Sequence, residues 1–279
     1  MKNETMSLKS KINTFARTKG IHPQTVMQNY MFEQFMVRLS KTKYSQNLIL
    51  KGGLLIASLV DISNRSTMDF DATLKDLTLS EDSIFALFQE INAVDSNNEI
   101  SFTIKKVSPI RDDDDYGGLR VSVEVKYFSL ISILKFDLST GDAITPEEVQ
   151  STYPIMFSDD MIKIPSYNIE TILAEKIHSI FYHYLGTTRM RDYYDVYILT
   201  ELKSDAIDFA VLGQALQRTA EHRNTLLVFD NWSDKLSVLR SDEELNRLWD
   251  EYSVKNNYTM GLTFSMMVES VESVLSIAL

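Results

Sequence analysis

The chain has 279 residues, 44% of them hydrophobic and 24% charged, an ordinary globular balance and enough length for one large domain or two modest ones. The absence of cysteine excludes a disulfide framework and a thiolate metal site. A formal net charge of −11 excludes a protein that coats duplex nucleic acid with its whole surface, since such binding is supplied by cationic side chains on phosphates. A local basic patch for RNA or a nucleotide, with divalent cations offsetting acidic groups, stays open. The polar N-terminal stretch MKNETMSLKSK lacks the apolar run of a signal peptide. No apolar stretch approaches the roughly 20 residues that span a bilayer. A cytoplasmic protein with no membrane partner is expected.

In chain order, residues 22–40 place Val26, Met27, Tyr30, Met31, Phe35 and Leu39 at helical spacing behind a Pro. An apolar strand at 48–50 then runs into Lys51, Gly52 and Gly53, an apolar helix-like segment follows, and a second strand carries Asp69 and Asp71. Residues 80–91 read as a helix with Ile84, Leu87, Phe88 and Ile91 on one face. Alternation returns at 102–107, at 119–125 and at 130–138, where Leu134, Phe136 and Leu138 share one face and Lys135 and Asp137 the other. The acidic run Asp112 to Asp115 reads as a solvated hairpin loop, because carboxylates in a flexible loop are not pre-organised for a metal. Residues 139–148 read as a loop, and from about 169 the pattern is helical. There is no internal repeat. The expected fold class is α+β: a mixed-sheet domain over 1–160 and a helical domain over 161–279.

Strand side chains alternate with period two, so Asp69 and Asp71 face one way and Met68 and Phe70 the other. Glycines at 52 and 53 let backbone N–H groups approach phosphate oxygens, and the helix that follows adds its positive end. Lys51 can meet a phosphate as a point charge, Ser66 and Thr67 bring hydroxyls, and Asp69 and Asp71 are hard oxygen ligands of the kind Mg2+ takes. Asp137, on the polar face of its strand, is the natural third carboxylate for a metal site. Lys-Gly-Gly or Asp-x-Asp alone would be ordinary structure; the joint pattern, with Arg65 before the hydroxyls, points to a metal-bound nucleoside triphosphate.

A second anomaly lies in residues 172–199. Ile169, Ile172, Leu173, Ile177 and Ile180 form one helix face, and Lys176 falls inside it; Asp192 shares a face with Val196 and Leu199, with Asp195 at its edge. A lysine so placed must reach water or an anion. Pairing of Lys176 with Asp192, or direction of Lys176 at a triphosphate, resolves both, and an ordinary interhelical salt bridge is the plainer reading. His178 and His183 are five apart and do not make a metal site. Tyr182, Tyr184, Tyr193, Tyr194 and Tyr197 could stack bases, although packing is the commoner use of such residues.

Taken together, Lys51-Gly52-Gly53, Arg65 through Asp71, Leu134 through Asp137 with Gly141-Asp142, Ala174 through Ile177, and Arg189 through Asp195 resemble the AbiEii family of nucleotidyltransferase toxins from abortive-infection (phage defence) toxin–antitoxin systems. The resemblance implies a polymerase-β-like nucleotidyltransferase domain followed by a helical domain. It matches Asp69 and Asp71 to the metal-binding pair, Ser66 and Thr67 to the adjacent hydroxyls, Asp137 to the third acidic position, and Lys176 and Asp192 to later motifs needed for toxicity. Gly53 departs from the broader nucleotidyltransferase pattern, where a serine follows the glycine. GTP or a pyrimidine triphosphate as donor, Mg2+ as cofactor, the tRNA 3′ end as acceptor and an antitoxin from a neighbouring gene are what the resemblance implies. A toxin that binds nucleotide without transfer, and transfer to a protein hydroxyl, are the alternatives. The displaced Lys176 and Asp192 suggest that the helical domain closes over the Asp69 and Asp71 strand.

Overall fold

A computed structural model describes residues 2–95, 99–110 and 118–279; the acidic run at 112–115 lies outside the described residues. The chain divides into two compact units, Met1–Asp142 with Val149–Ser166, and Ala143–Glu148 with Tyr167–Leu279.

The first unit opens with α1 (Lys2–Lys19) and α2 (Pro23–Leu39). Pro23 sits in the first helical turn, where its missing N–H costs nothing, and the His22 side chain caps by accepting from the Gln24 N–H. Then come β1 (Leu48–Lys51), α3 (Gly52–Val60), β2 (Phe70–Leu74), α4 (Glu81–Ala93), β3 (Ile100–Pro109), β4 (Leu119–Tyr127), β5 (Leu130–Thr140), β6 (Val149–Pro154) and β7 (Met161–Ser166). The strands form a single sheet in the order β3, β4, β5, β2, β1, β7, β6. Pairing is antiparallel except for β2 with β5 and β1 with β7.

One sheet face is aromatic. Phe70 and Phe136 are register partners on β2 and β5 with ring centroids 4.8 Å apart. Phe32 and Phe35 of α2 sit on them, Phe35 lying 4.7 Å from Phe136 and 5.3 Å from Phe88 of α4. All four core rings of α2, β2 and β5 are fully buried, a helix-on-sheet core of the kind α2's spacing anticipates.

The expected elements at 22–40, 48–50, 80–91 and 119–138 correspond to α2, β1, α4 and the β4–β5 hairpin. Asp69 differs: it immediately precedes β2, whose ladder begins at Phe70. The sequence pattern does not anticipate α1, β6 or β7. Because β7 joins the sheet beside β1, residues 161–166 fall with the first unit, on the other side of the expected boundary at 160.

The second unit contains α5 (Ile169–His183), α6 (Met190–Lys203), α7 (Phe209–His222), α8 (Trp232–Ser241), α9 (Glu243–Lys255) and α10 (Phe264–Ala278). Asn168 caps α5 through the Thr171 N–H at 2.8 Å, and its amide donates to the Thr145 and Glu147 carbonyls at 2.7 and 3.1 Å. That explains why residues 143–148 belong with the helices. Asp208, Asp242 and Thr263 cap α7, α9 and α10 in the same way. Buried Phe264, Met267, Val268, Val271 and Val274 of α10 form the central apolar stripe. Among the described residues no helix is long and apolar enough to cross a membrane.

Candidate active site

The site is built on the sheet face opposite the aromatic core. β1 ends at Lys51 and turns sharply at Gly52, whose φ of +67° lies in the left-handed region that glycine adopts without penalty. A Cβ there would stand 2.2 Å from Oδ2 of Asp71. At Gly53 a Cβ would stand 2.8 Å from Oγ1 of Thr67 and 3.1 Å from a guanidinium nitrogen of Arg65. The two glycines therefore make room for the side chains of the acidic strand and its lead-in loop. The hydroxyl nearest the turn comes from Thr67, against the very position where a serine at 53 would stand.

The register then aligns four charged residues across four strands. Lys51 is opposite Asp71, Asp71 is opposite Asp137, and Asp137 is opposite Arg120. Registered partners share a face, so the row is continuous from β1 through β2 and β5 to β4. Arg120 grips Asp137 with both prongs, Nε and a terminal nitrogen lying 2.7 and 2.6 Å from its two oxygens. This hydrogen-bonded pairing raises the Arg120 guanidinium above its ordinary value, with burial opposing and the fields of Asp137, Asp69 and Asp71 adding to it. At the other end Lys51 forms an ion pair with Asp142, which also accepts from the Ser139 hydroxyl at 2.7 Å.

The lead-in loop is pinned from behind. Asn29 of α2, 1% exposed, donates to the Thr67 carbonyl at 2.8 Å and to its own helix at Thr25. Arg65 is buried and donates to the Ser66 carbonyl. Placed beneath Gly53, Arg65 shapes the turn from inside, whereas the sequence pattern places it among the groups touching nucleotide. Ser66 is half-buried, and the Thr67 hydroxyl accepts from the Asp69 N–H at 3.3 Å.

In the second unit Lys176 meets Asp192 at 2.7 Å and Asp195 at 2.9 Å. Asp192 also accepts from Arg189 Nε at 2.6 Å and from the Ser179 hydroxyl at 2.8 Å. Both aspartates are essentially buried, while the Lys176 side chain is 15% exposed. Burial disfavours ionised Asp192, but Lys176 and Arg189 outweigh it and hold the carboxyl well below the usual range. The two displaced charges of the sequence are thus partners, and Asp195 completes a triad. His178 is neutral in this fold: burial, then the charges of Arg223 and His183, push it down to about 4, and it meets the Thr225 hydroxyl at 2.7 Å. Tyr193 and Tyr194 are buried packing residues, and Tyr182 is 60% exposed.

Of the expected residues, the first unit thus gathers Lys51, Gly52, Gly53, Arg65, Thr67, Asp71 and Asp137, with Ser66 and Asp69 on the same lead-in, and the second brings Lys176 to Asp192. The sequence pattern assigns no role to Arg120 or Asp142. Arg120 is within its reach: β4 and β5 join through the two-residue turn Phe128-Ser129, so counting back from Tyr127 opposite Leu130 puts Arg120 opposite Asp137. For a divalent cation the donor chemistry fits, since Asp69 and Asp71 offer hard oxygens beside a glycine turn. Asp137 is already engaged by Arg120, and among the described residues no group of three or more His, Cys, Asp or Glu side chains is placed to hold a metal. The fit is to a two-carboxylate site with Asp137 alongside.

A family model described as nucleotidyl transferase AbiEii toxin, type IV TA system, matches residues 34–270. The chain belongs to this AbiEii family. Its class is accordingly that of a nucleotidyltransferase, and its counterpart in such a system is an antitoxin. Among solved structures, JHP933 from Helicobacter pylori is 17% identical, with a TM-score of 0.50 over 91% of this chain and 94% of that one. A candidate nucleotidyltransferase from H. pylori is also 17% identical, with a TM-score of 0.49 over 92% of this chain and 98% of that one. An antigenic nucleotidyltransferase-like protein from Paracoccidioides brasiliensis is 15% identical, covers 75% of this chain and 92% of its own, and has a TM-score of 0.41. The JHP933 likeness supports the fold and nothing finer. No curated protein matches the chain.

Proposed function

We propose that this AbiEii-family protein is a cytoplasmic toxin that transfers a nucleotide from a nucleoside triphosphate, GTP or a pyrimidine triphosphate, to the 3′ end of tRNA. The observation that carries the reading is the in-register row of Lys51, Asp71 and Asp137 beside the Gly52-Gly53 turn. Mg2+ held by Asp69 and Asp71, with Asp137 alongside, would supply charge neutralisation on the phosphates. The glycine turn and the first N–H groups of α3 receive phosphate oxygens, and Lys51, tethered by Asp142, adds positive charge at the rim. The Thr67 hydroxyl stands beside Gly53 in that turn, and Ser66 brings a second hydroxyl on the same lead-in. The acceptor hydroxyl oxygen bonds to the α-phosphorus as the bond to the departing pyrophosphate breaks. Asp137 receives the hydroxyl proton: Arg120 occupies two of the roughly four lone-pair positions of the carboxylate, leaving others for the acceptor. Lys176 and Asp192 act as a pair, with Asp192 fixing the lysine. Catalysis of this type is mostly positioning and charge stabilisation.

The test is incubation of the purified protein with radiolabelled triphosphates and total RNA. Labelled RNA and released pyrophosphate are expected, and both should vanish in Asp69→Asn and Asp71→Asn variants that melt like wild type. Label on a protein band would transfer the reading to a protein hydroxyl. Label on neither, with the Asp69 variant as toxic as wild type, would refute it.

A further inference from the structure

Beyond the charged row, β3, β4 and β5 extend the same sheet face outward. Its character is opposite to that of the chain. Lys106 on β3, Lys126 on β4 and Lys135 on β5 are exposed, and none has a carboxylate partner among the described residues. Between them stand Ile131 and Ile133, 63% and 50% exposed.

The placement is not accidental alternation. The β3–β4 ladder shifts register between Ile104 and Lys106. Such a bulge lets two consecutive residues share one face. Lys105 accordingly reaches Glu124 at 3.4 Å while Lys106 lies opposite Ser122, and Val107 returns to the core side opposite Val121. Without the bulge, one of these two lysines would have to enter the apolar layer. The only carboxylates of the β4–β5 face, Glu124 and Asp137, are taken by Lys105 and Arg120. The net surplus is cationic, within a chain of formal charge −11.

From Asp137 to Ile131 is six residues along β5, about 20 Å at strand rise. An extended strand of nucleic acid laid along this face would meet cations on three neighbouring β-strands, apolar surface for its bases or sugars, and the acidic row at its end. We propose that this face of β3, β4 and β5 is the docking surface for the RNA acceptor, with Lys106, Lys126 and Lys135 on its phosphates and Ile131 and Ile133 beneath its nucleosides. This deepens the acceptor reading above and rests on it. Charge complementarity selects the occupant: an acidic chain that keeps three lysines without carboxylate partners among the described residues, around exposed isoleucines on one sheet face, matches a polyanion with apolar rings.

The experiment compares the full chain with a Lys106→Glu, Lys126→Glu, Lys135→Glu triple variant, using fluorescein-labelled tRNA for binding and radiolabelled GTP and CTP for the triphosphate site. A second triple variant, Lys9→Glu, Lys41→Glu, Lys255→Glu, makes the same charge change at exposed lysines elsewhere. The face variant should bind tRNA at least tenfold more weakly near 0.15 M salt. Its log–log salt slope should fall by about 2, at roughly 0.7 for each phosphate that is no longer neutralised. Its triphosphate binding and melting temperature should match wild type, and the second variant should bind tRNA within about threefold of wild type. Equal weakening in both variants, or undiminished binding by the face variant while RNA is still labelled in the transfer assay, overturns the surface and leaves the acceptor reading standing. Loss of triphosphate binding in the face variant overturns it too, by tying the lysines to the reaction site itself. If wild type neither binds nor labels RNA, and a protein band is labelled instead, the acceptor reading fails first and the surface with it.

Discussion

Replacement of Lys176 by Met separates the two roles open to that residue. In the second unit it lies between Asp192 and Asp195, at 2.7 and 2.9 Å, and the two carboxylates are 2% and 0% exposed. Met keeps the aliphatic stem and removes the ammonium. Asp192 then retains Arg189 and Ser179, while Asp195 loses an ion-pair partner at 2.9 Å. Removing one partner of a buried pair costs about 3–5 kcal/mol, because the other keeps the cost of its burial without that attraction. For a unit of this size, that corresponds to a fall of roughly 10–20 °C in melting temperature. Differential scanning calorimetry of wild type, Lys176→Met and Lys176→Met with Asp195→Asn is the assay, and neutralising Asp195 should restore a substantial part of the stability. Acid should erode the same interaction: Asp192 is depressed in the folded protein, so its contribution is present above the ordinary value of 3.8 and is lost as pH falls further. If Lys176→Met melts like wild type yet has lost transfer activity, the lysine serves the substrate, and the buried-triad argument is wrong.

Two further predictions concern the first unit. Gly52→Ala places a Cβ 2.2 Å from the Asp71 carboxylate at a φ of +67°; the backbone alone costs about 1–2 kcal/mol, and a displaced Asp71 should lower transfer about 100-fold. Near-normal turnover in this variant would mean that the turn does not set the carboxylate. Glu33, buried on α2, is pushed up to about 8 by burial, against the opposing hydrogen bonds from the Met156 N–H and Gln34. It holds a proton in the folded state where the unfolded chain has lost one, so its contribution is full below 4.5 and declines as pH rises towards about 8. The slope approaches 1.4 kcal/mol per pH unit. Glu33→Gln keeps an acceptor for Met156 and should flatten that slope in urea titrations between pH 5 and 8; parallel pH profiles would count against a protonated Glu33.

What can be read from the chain follows from periodicity. α2, α4 and the β4–β5 hairpin announce themselves because each buries one face and exposes the other. β6 and β7 do not: Val149–Pro154 is largely polar, and Met161–Ser166 carries Pro165, so neither presents the alternation that marks a half-buried strand. α1 escapes notice because its composition is polar and, among its described side chains, the buried ones are Leu8, Ile12 and Ala16, one per turn. In the site, the pairing of Lys176 with Asp192 is legible because each charge breaks an apolar helix face. The grip of Arg120 on Asp137 follows from the register of the β4–β5 hairpin once its two-residue turn is placed, whereas the tie from Lys51 to Asp142 depends on strand order, which local pattern does not carry. Asp-x-Asp suits a strand and so puts Asp69 on one, whereas pairing starts one residue later, where the Thr67 hydroxyl takes the Asp69 N–H.

The stacked pair Phe70 and Phe136 has a consequence for how such a site can change. Each ring immediately precedes an acidic residue, and the two acids are register partners because the two rings are. A slip of β2 by one residue against β5 would turn Phe70 out to water and Asp71 into the core, while Phe136 and Asp137 kept their faces. Packing therefore serves as the gauge that keeps Asp71 level with Asp137. Drift in the aromatic layer, such as Phe136 shrinking to a residue that packs in more than one offset, would first show as misalignment of the acids, well before the fold itself failed.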